Sequence, residues 1–485
     1  MSARTRTLRK LTALAIPALA IAYGCAPVPS PGPGGTGGSA IGTGGGTPGT
    51  GGAATGGAGP TGGAPATGGI GGPTGGVPGV GGAPATGGGG PATGGVPGAG
   101  GTPIGDGSCP PMPDLPEPSG LTEVNMKLPD PFTFYDGTPL THKSQWECRA
   151  KEIKAMAAKY LYAPVPPEPD MTTGTVSGSN VTMNVTAGGN TQSFTATISG
   201  SGTAIVLNVG SGVAAPNSKS LSFGSGYQGK VESLFGISGS NINIVNGWMI
   251  DRVMDVLEAN PGTHDHTKIM VTGCSGCGKG AYLAGVFSRV PLTVIVESGG
   301  GGVANLRQAE WFRHGEGNST WQCADALPQS IDNLENSGAC TPWVTDAATW
   351  LRNDPSKVYN LPFDTHLLLA TIAPRALVHF SNDNGVNSWC HLGGTCEALS
   401  AWAAQPVWKA LGVPELMSFH MYSSGHCGAS GSQIAAATNM FDRVFNGNMS
   451  ADTGVMEIME DGVQQPVSEW KDMWVDWNMD TVLAD

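Results

Sequence analysis

The pattern of hydrophobic and polar positions changes twice along the chain. Residues 11–22 form an apolar run after a basic start, and residues 26–105 then contain no charged side chain. From residue 109 onward, apolar positions recur with the periods of strands and helices. The sequence therefore predicts a short leader, a long segment without a hydrophobic pattern, and one folded region.

The folded region contains alternating helical and strand-like stretches. Apolar positions in 146–162 and 248–258 have helical spacing, whereas 172–209 alternates between apolar and polar residues with glycine turns. Further strands are predicted at 268–272, 292–296, 376–380 and 416–421, and further helices at 278–287, 366–372 and 433–444. Such alternation predicts an α/β fold with a mostly parallel sheet, covered by helices on both faces.

The leader is typical of an export signal. Its basic residues precede an apolar run that is too short to span a bilayer. The stretch Ala22-Tyr23-Gly24-Cys25 resembles a bacterial lipoprotein cleavage site, which would make Cys25 the lipidated residue; ordinary cleavage near this point is the alternative. We expect a secreted or cell-surface protein, and an outer-membrane lipoprotein if Cys25 carries a lipid anchor.

The segment 26–108 has the composition of a disordered linker. It consists mainly of Gly, Thr, Pro and Ala, and the unit GGAPATGG begins at both Gly62 and Gly81. Glycine does not occupy every third position, which excludes a collagen helix. Because such a tract cannot bury enough apolar surface to offset its ordering entropy, we expect a signal at 1–25, a linker at 26–108 and a folded domain at 109–485.

Charge and cysteine content narrow the function classes. The net charge of −13 argues against nucleic acid or anionic lipid as a partner. The ten cysteines of an exported chain are read first as disulfides, and setting Cys25 aside leaves an odd number. No segment after the leader has the pattern of a transmembrane helix. We also expect the protein to be a monomer.

The most informative stretch is 269–281, IMVTGCSGCGKGA, in which a buried strand, a tight turn and a helix with small residues follow one another. This order is typical of a nucleophile elbow, whose turn projects Ser275 and whose helix start, at Gly276, offers N–H groups to an oxyanion. Cys277 stands where the usual Gly-x-Ser-x-Gly motif has its second glycine. A plain glycine-rich turn between a strand and a helix is the alternative interpretation.

The other members of a triad have candidates later in the chain. Glu297 follows the predicted strand 292–296 and His426 follows the last core strand, which gives the order Ser…Glu…His that α/β-hydrolases use. An ordinary loop carboxylate is the alternative for Glu297. His264 and His266 flank Asp265, but no third ligand stands nearby, and we expect neither a metal nor a cofactor.

Two cysteines flank the proposed nucleophile and base. Cys274 precedes Ser275 and Cys427 follows His426. A bridge between them would hold the two residues side by side, because bridged Cα atoms lie about 5–6 Å apart. Two independent buried thiols are the alternative.

Together these residues resemble the glucuronoyl esterases, which cleave esters between lignin alcohols and the 4-O-methyl-glucuronic acid of glucuronoxylan. The family's elbow, Gly-Cys-Ser-Arg-x-Gly-Lys, corresponds to 273–279, its Glu-Ser-Gly segment to 297–299 and its His-Cys pair to 426–427. The resemblance extends from residue 109 to residue 445. It implies an α/β-hydrolase catalytic domain in which Ser275 attacks the ester of these lignin–carbohydrate linkages, His426 is the base and Glu297 orients it.

The resemblance implies further residue roles and exposes one departure. Its disulfides would be Cys109–Cys148 and Cys274–Cys427, and its sugar contacts correspond to Lys279, Trp389, Gln329 and Glu335. Gly276 replaces the family's elbow arginine, which stabilises the oxyanion. Two other functions therefore stay open: an acetyl or feruloyl xylan esterase, and a surface carbohydrate-binding protein with impaired catalysis.

Overall fold

The computed structural model describes residues 107–485, except for 211, 214, 263, 315–328, 332–339, 383–391, 423–425, 428–430, 461–462 and 465–467. The predicted signal, most of the predicted linker and Cys25 lie outside the described residues, as do two predicted sugar contacts, Glu335 and Trp389. Within the described part of the chain, no helix combines the length and hydrophobicity that crossing a bilayer requires.

A ten-stranded sheet has the order β1-β2-β3-β5-β4-β6-β7-β8-β9-β10. The pairings of β1 with β2, β2 with β3 and β3 with β5 are antiparallel, and all pairings from β5 to β10 are parallel. The predicted mostly parallel sheet is thereby confirmed. Its strands are β1 Met171–Ser177, β2 Asn180–Ala187, β3 Asn190–Ser199, β4 Ala204–Gly210, β5 Ser218–Phe223, β6 Ile269–Cys274, β7 Leu292–Val296, β8 Ala376–Asn382, β9 Met417–Tyr422 and β10 Met456–Glu457. Two short strands, β11 Met459–Glu460 and β12 Val463–Gln464, form a separate antiparallel pair.

Five helices of the structure correspond to predicted ones, and the structure adds further helices between and after them. They are α1 Gln145–Ala157, α2 Tyr227–Phe235, α3 Ile242–Ala259, α4 Gly276–Val286, α5 Leu306–His314, α6 Thr349–Asn353, α7 Thr365–Ala370, α8 Gly394–Ala410, α9 Gly431–Asn446 and α10 Ser468–Trp474, with a π-helical turn, Ala158–Tyr162, directly after α1. The sequence pattern missed α2, α5, α6, α8 and α10. Helix α8 is buried on most of its circumference and contains Pro406, so it lacks the one-sided apolar stripe that predicts a surface helix.

Side chains on the central strands alternate between two helical layers. Ile295 and Leu377 pack into the cluster that contains residues of α1, α7 and α8. Their neighbours Val294 and Val378 point the other way and pack with Phe441 of α9. Both faces of the sheet are therefore covered, which explains why these strands read as continuous apolar runs.

The C-terminal segment packs against residues near the start of the domain. The Leu128 N–H donates to the Trp474 carbonyl at 2.8 Å, and the Trp477 indole donates to the Leu128 carbonyl at 3.0 Å. Trp474 is buried and meets Trp311 edge to face, with ring centres 5.8 Å apart. These tail tryptophans therefore bind the two ends of the domain together.

Helices α3 and α4 approach each other closely at Gly247. A Cβ added there would lie 2.8 Å from the Ala284 carbonyl oxygen and 3.2 Å from the Ala284 Cα, both backbone atoms. Only a residue without a side chain allows this separation. The contact matters for the site, because α4 begins directly after Ser275.

We expect Gly247→Ala to lower the free energy of unfolding by about 1–3 kcal/mol, because the added methyl group overpacks the contact between α3 and α4. The matched control is Gly229→Ala in α2, where an added Cβ meets nothing within 4 Å. The control should raise the free energy of unfolding by up to about 1 kcal/mol through helix propensity. Urea unfolding measures both, and equal stabilities would contradict the close helix contact.

Candidate active site

Three parallel strands bring the predicted triad to one edge of the sheet. Ser275 follows β6, Glu297 follows the neighbouring strand β7, and His426 comes soon after the end of β9. The carboxyl ends of parallel strands lie at the same edge, where α/β folds place their functional groups. The edge position therefore follows from the topology alone.

Ser275 occupies a strained turn. Its backbone has φ 58° and ψ −124°, a combination that side-chain-bearing residues rarely adopt. The Ser275 N–H donates to the Val296 carbonyl at 2.9 Å, and its carbonyl accepts the Lys279 N–H at 3.0 Å. These bonds fix the turn between the sheet and the first turn of α4, and the serine side chain is only half-buried. This geometry is that of a nucleophile elbow.

Two glycines allow the chain to pass through this turn. A Cβ on Gly273 would lie 2.1 Å from the Cys277 carbonyl oxygen, and one on Gly278 would lie 2.5 Å from the Val296 carbonyl oxygen. The second required glycine is therefore Gly278, one position later than in the usual motif. Cys277 forms a disulfide with Cys340, with Cα atoms 5.1 Å apart, a pairing that the sequence did not predict.

Glu297 and His426 are in direct contact. The His426 Nδ1 lies 2.7 Å from Oε2 of Glu297, and the Cys427 N–H donates to the same oxygen at 3.3 Å. Glu297 is 2 % exposed and has a positive φ of 45°. With the carboxylate accepting from Nδ1–H, the lone pair of the neutral imidazole lies on the other nitrogen, Nε2. This pairing is the orientation that a base in a triad requires.

A disulfide joins the nucleophile turn to the histidine loop. Cys274 and Cys427 are bridged, with Cα atoms 5.6 Å apart across 153 residues of sequence. The sulfurs and His426 lie close enough to suggest a metal site, but the disulfide leaves no thiolate to bind an ion. The other implied bridge, Cys109–Cys148, is also present.

The two ring nitrogens of His264 both have protein partners. One contacts the Lys219 ammonium and the other contacts the Gly178 carbonyl oxygen.

Backbone strain is concentrated at this site. Five non-glycine residues of the described ranges have positive φ, and four of them belong to the site or its disulfides: Ser275, Glu297, Cys340 and Cys427. Such conformations persist only where surrounding contacts enforce them, and they cluster at functional sites. Three of these four residues, Ser275, Glu297 and Cys427, are ones that the sequence analysis had already singled out.

On the predicted oxyanion side of the site, helix α4 begins directly after Ser275, and position 276 is a glycine. Gly276 is the first residue of α4, so its N–H is free of the helical hydrogen-bond ladder and lies at the positive end of the helix dipole. Arg307, which comes soon after Glu297 in sequence, is fully buried elsewhere. It pairs with Asp364 at 3.0 Å and donates to the carbonyls of Leu361 and Phe363. It therefore stabilises the fold and does not replace the missing side chain.

Two predicted sugar contacts lie together beside the acid. The Lys279 ammonium donates to the Ser298 carbonyl at 2.5 Å and to the Gln329 side-chain oxygen at 3.2 Å. It also lies over the ring of Trp343, 4.4 Å from the ring centre. Burial lowers the pKa of Lys279 to about 7, and the negative charge of Glu397 opposes that shift.

The sequence did not reveal Trp343 or Glu397. Trp343 lies on a segment without regular secondary structure, and Glu397 lies on α8, the helix whose pattern was missed. His379 is buried within β8 and meets the ring of Phe419 edge to face. It also lies 3.4 Å from Glu397. Only proximity in the folded chain links these residues to the site.

Comparisons with known proteins show what this chain is similar to. The family described as "Glucuronyl esterase, fungi" matches residues 172–412. The 4-O-methyl-glucuronoyl methylesterase of Schizophyllum commune is 32% identical over 74% of this chain and 92% of that protein. The enzyme of the same name from Podospora anserina is 34% identical over 68% of this chain and 70% of that protein.

Solved structures give the same result. The catalytic domain of a glucuronoyl esterase from Hypocrea jecorina is 30% identical, with a TM-score of 0.62 over 74% of this chain and 98% of that chain. A serine-to-alanine mutant of a glucuronoyl esterase from Sporotrichum thermophile, in complex with methyl 4-O-methyl-β-D-glucopyranuronate, is also 30% identical. Its TM-score is 0.59 over 72% of this chain and 95% of that chain.

Removal of the Cys274–Cys427 disulfide through Cys274→Ala/Cys427→Ala should lower turnover of benzyl glucuronate by about 10²-fold, because small displacements of reacting groups are costly. The matched control, Cys109→Ala/Cys148→Ala, breaks a bridge that does not flank the predicted triad. Chain-entropy arguments give comparable stability losses, about 5 and about 4 kcal/mol. Kinetics at a temperature where both variants are folded separate the two effects. Equal activity losses would contradict a positioning role.

Proposed function

The chain belongs to the glucuronoyl esterase family, and we propose that it hydrolyses esters between lignin alcohols and the 4-O-methyl-glucuronic acid of glucuronoxylan. The observation that carries this proposal is the contact of Glu297 with His426, at 2.7 Å, on the loop that a disulfide ties to Ser275. A base oriented by a carboxylate beside a serine in an elbow is the arrangement that ester hydrolysis by a serine nucleophile needs.

In the proposed reaction, the Ser275 Oγ attacks the carbonyl carbon of the uronic ester while Nε2 of His426 takes the hydroxyl proton. The oxyanion of the tetrahedral intermediate is held by backbone N–H groups, including that of Gly276. The imidazolium, stabilised by Glu297, then protonates the departing alcohol as the acyl-enzyme forms. Water, deprotonated by His426, attacks the carbonyl carbon of the acyl-enzyme, and the imidazolium returns that proton to the Ser275 Oγ as the bond to the uronic acid breaks. The residues of this chain supply each proton transfer.

The uronic sugar is proposed to bind beside Lys279 and Gln329. Both offer hydrogen bonds at the edge of the site, and the ammonium is held in place by Ser298 and by the face of Trp343. Trp389 and Glu335 remain proposed sugar contacts on the resemblance alone.

The leader and the composition support the rest of the proposal. We propose that the protein is exported and monomeric, and that it uses neither a cofactor nor a nucleic-acid partner. Attachment to the membrane through a lipid on Cys25 is one way in which an exported protein could be retained at the cell surface.

Gly276 favours one competing function. A missing oxyanion donor commonly costs about 3–4 kcal/mol in the activation barrier. A chain with so large a loss could serve mainly as a carbohydrate-binding protein. Such a protein would bind glucuronoxylan without hydrolysing its esters, whereas an acetyl or feruloyl esterase would prefer those esters to glucuronates.

We expect the protein to hydrolyse benzyl glucuronate, and we expect Ser275→Ala and His426→Ala each to reduce kcat by about 10⁴-fold or more, because a triad acts as a unit. Steady-state kinetics with acetyl and feruloyl xylan esters as competing substrates test the specificity. Circular dichroism and thermal unfolding serve as the folding control for each variant. If either variant retained a tenth of the parent activity, that residue would not belong to the mechanism.

Gly276→Arg should raise kcat on glucuronate esters by about 10-fold or more with little change in KM, because the added donor acts mainly in the transition state. Gly276 has a helical backbone at the start of α4 and is only half-buried, so a side chain can be placed there without positive-φ strain. Gly276→Ala is the matched control, since it adds a side chain without a charge. An unchanged or lower kcat in a folded Gly276→Arg protein would mean that the chain does not lack this donor.

A further inference from the structure

Glu397 is a fully buried carboxylate that the proposed reaction does not use. It lies on α8, with one oxygen, Oε1, accepting hydrogen bonds from the Ser298 hydroxyl at 2.6 Å and the Gly299 N–H at 2.7 Å. Its other oxygen accepts a hydrogen bond from the Ser381 hydroxyl. A carboxylate is costly to bury unless it is paired or fully hydrogen-bonded, so this set of partners requires an explanation.

The partners of Glu397 surround the acid of the proposed triad. Ser298 and Gly299 directly follow Glu297 in sequence. Ser381 follows Phe380, whose carbonyl accepts the Glu297 N–H at 2.8 Å. Glu397 therefore ties together the ends of β7 and β8 on both sides of Glu297, the residue held at positive φ.

Ser298 links the Glu397 carboxylate to Lys279 through hydrogen bonds. The Lys279 ammonium donates to the Ser298 carbonyl, and the Ser298 hydroxyl donates to Glu397. Lys279 is 1 % exposed, and its other contacts, Gln329 and Trp343, are uncharged. Among the described residues, no carboxylate lies within ion-pair distance of this ammonium, and the groups that contact it there are neutral.

Among the described residues, charged and titratable groups of this network lie on β8, on α8 and at the end of β7. Asp364 also acts on Cys396 through its charge. His379 of β8 faces Glu397 at 3.4 Å, and the Cys396 thiol is the neighbour of Glu397 on α8. Glu297, at the end of β7, is bonded to His426 instead. Burial raises the pKa of Cys396 well above its usual value, so that thiol stays neutral.

Electrostatics support an ionised Glu397. Burial alone would raise its pKa, but His379 and the hydrogen bonds from Ser298 and Ser381 outweigh burial and leave the pKa below its usual value. Burial is also the main influence on the pKa of Lys279, and Glu397 is the group that opposes it. The carboxylate is therefore charged over the pH range in which Lys279 titrates.

We propose that Glu397 is the buried counter-charge of Lys279 and, through Ser298, a positioning residue for binding of the uronic sugar. The inference rests on the proposed function only in assigning Lys279 to the sugar. Without Glu397, the described groups that stabilise the charge of the buried ammonium are neutral acceptors and an aromatic face. Lys279 would then lose its proton at a lower pH and would bind a sugar hydroxyl as a neutral amine.

The test is Glu397→Gln, which keeps the shape of the side chain and removes its charge. With lysine labelled at the ε-carbon, NMR titration should show the pKa of Lys279 lowered by at least about one unit, because one unit is a tenfold change in the proton equilibrium. We expect KM for benzyl glucuronate to rise with pH as Lys279 loses its proton. In Glu397→Gln this rise should begin at a correspondingly lower pH than in the parent protein. Lys279→Met assigns the resonance.

Two variants serve as controls. Ser381→Ala removes one hydrogen bond to Glu397 but keeps its charge, and it should leave the Lys279 titration in place. Glu397→Asp also keeps the charge and should leave that titration closer to the parent than Glu397→Gln does. If Ser381→Ala lowered the pKa of Lys279 as much as Glu397→Gln, the effect would be structural and the proposal would be wrong.

A stability cycle covers the case in which Glu397→Gln folds poorly. The double variant Lys279→Met/Glu397→Gln removes charge and counter-charge together, so Glu397→Gln should destabilise the Lys279→Met protein less than it destabilises the parent. Equal losses in both backgrounds, or an unshifted Lys279 titration, would overturn the proposal. The titration needs no substrate, so a parent protein without glucuronate esterase activity would refute the proposed function and leave this test intact.

Discussion

The Cys274–Cys427 disulfide is the constraint on which the rest of the site depends. It joins the residue before Ser275 to the residue after His426, which are far apart in sequence. A covalent bond limits how far the two loops can separate, but it does not orient the imidazole. Glu297 supplies that orientation, because a single carboxylate oxygen accepts from both the His426 ring and the Cys427 N–H. Distance and direction are thus set by different chemical means.

The strained backbone at the elbow is held by contacts in the sheet. Hydrogen bonds from Ser275 to the end of β7 and from Glu297 to the end of β8 lock consecutive strand ends together. Gly273 and Gly278 permit the close approach that this requires. The Cys277–Cys340 disulfide adds a further tie at the position where the common motif has a glycine. The unusual motif spelling therefore preserves the elbow while exchanging one small residue for a cross-link.

Two buried cationic side chains, Arg307 and Lys279, are stabilised in different ways. Arg307 has a direct carboxylate partner, Asp364, and is surrounded by carbonyl oxygens, as a purely structural charge should be. Lys279 instead has neutral acceptors, an aromatic face and a carboxylate beyond one serine. Such an ammonium holds its proton less firmly than one with a direct carboxylate partner. This difference separates a charge of the fold, Arg307, from the charge that is proposed to bind the sugar.

The sequence by itself determined the alternating α/β order, the strand–turn–helix around Ser275 and the order of serine, acid and base. These features are local: each is written in the periodicity or spacing of a few adjacent residues, and the strand topology then carries their ends to one edge. Only the tertiary structure decided the Cys277–Cys340 pairing, the place of Trp343 over Lys279 and the contacts of Glu397. Ser298 and Glu397 are 99 residues apart, and α8 is buried on most sides, so no local pattern marks it. Contacts of this kind depend on the path of the whole chain, because the folded path alone brings such distant residues together.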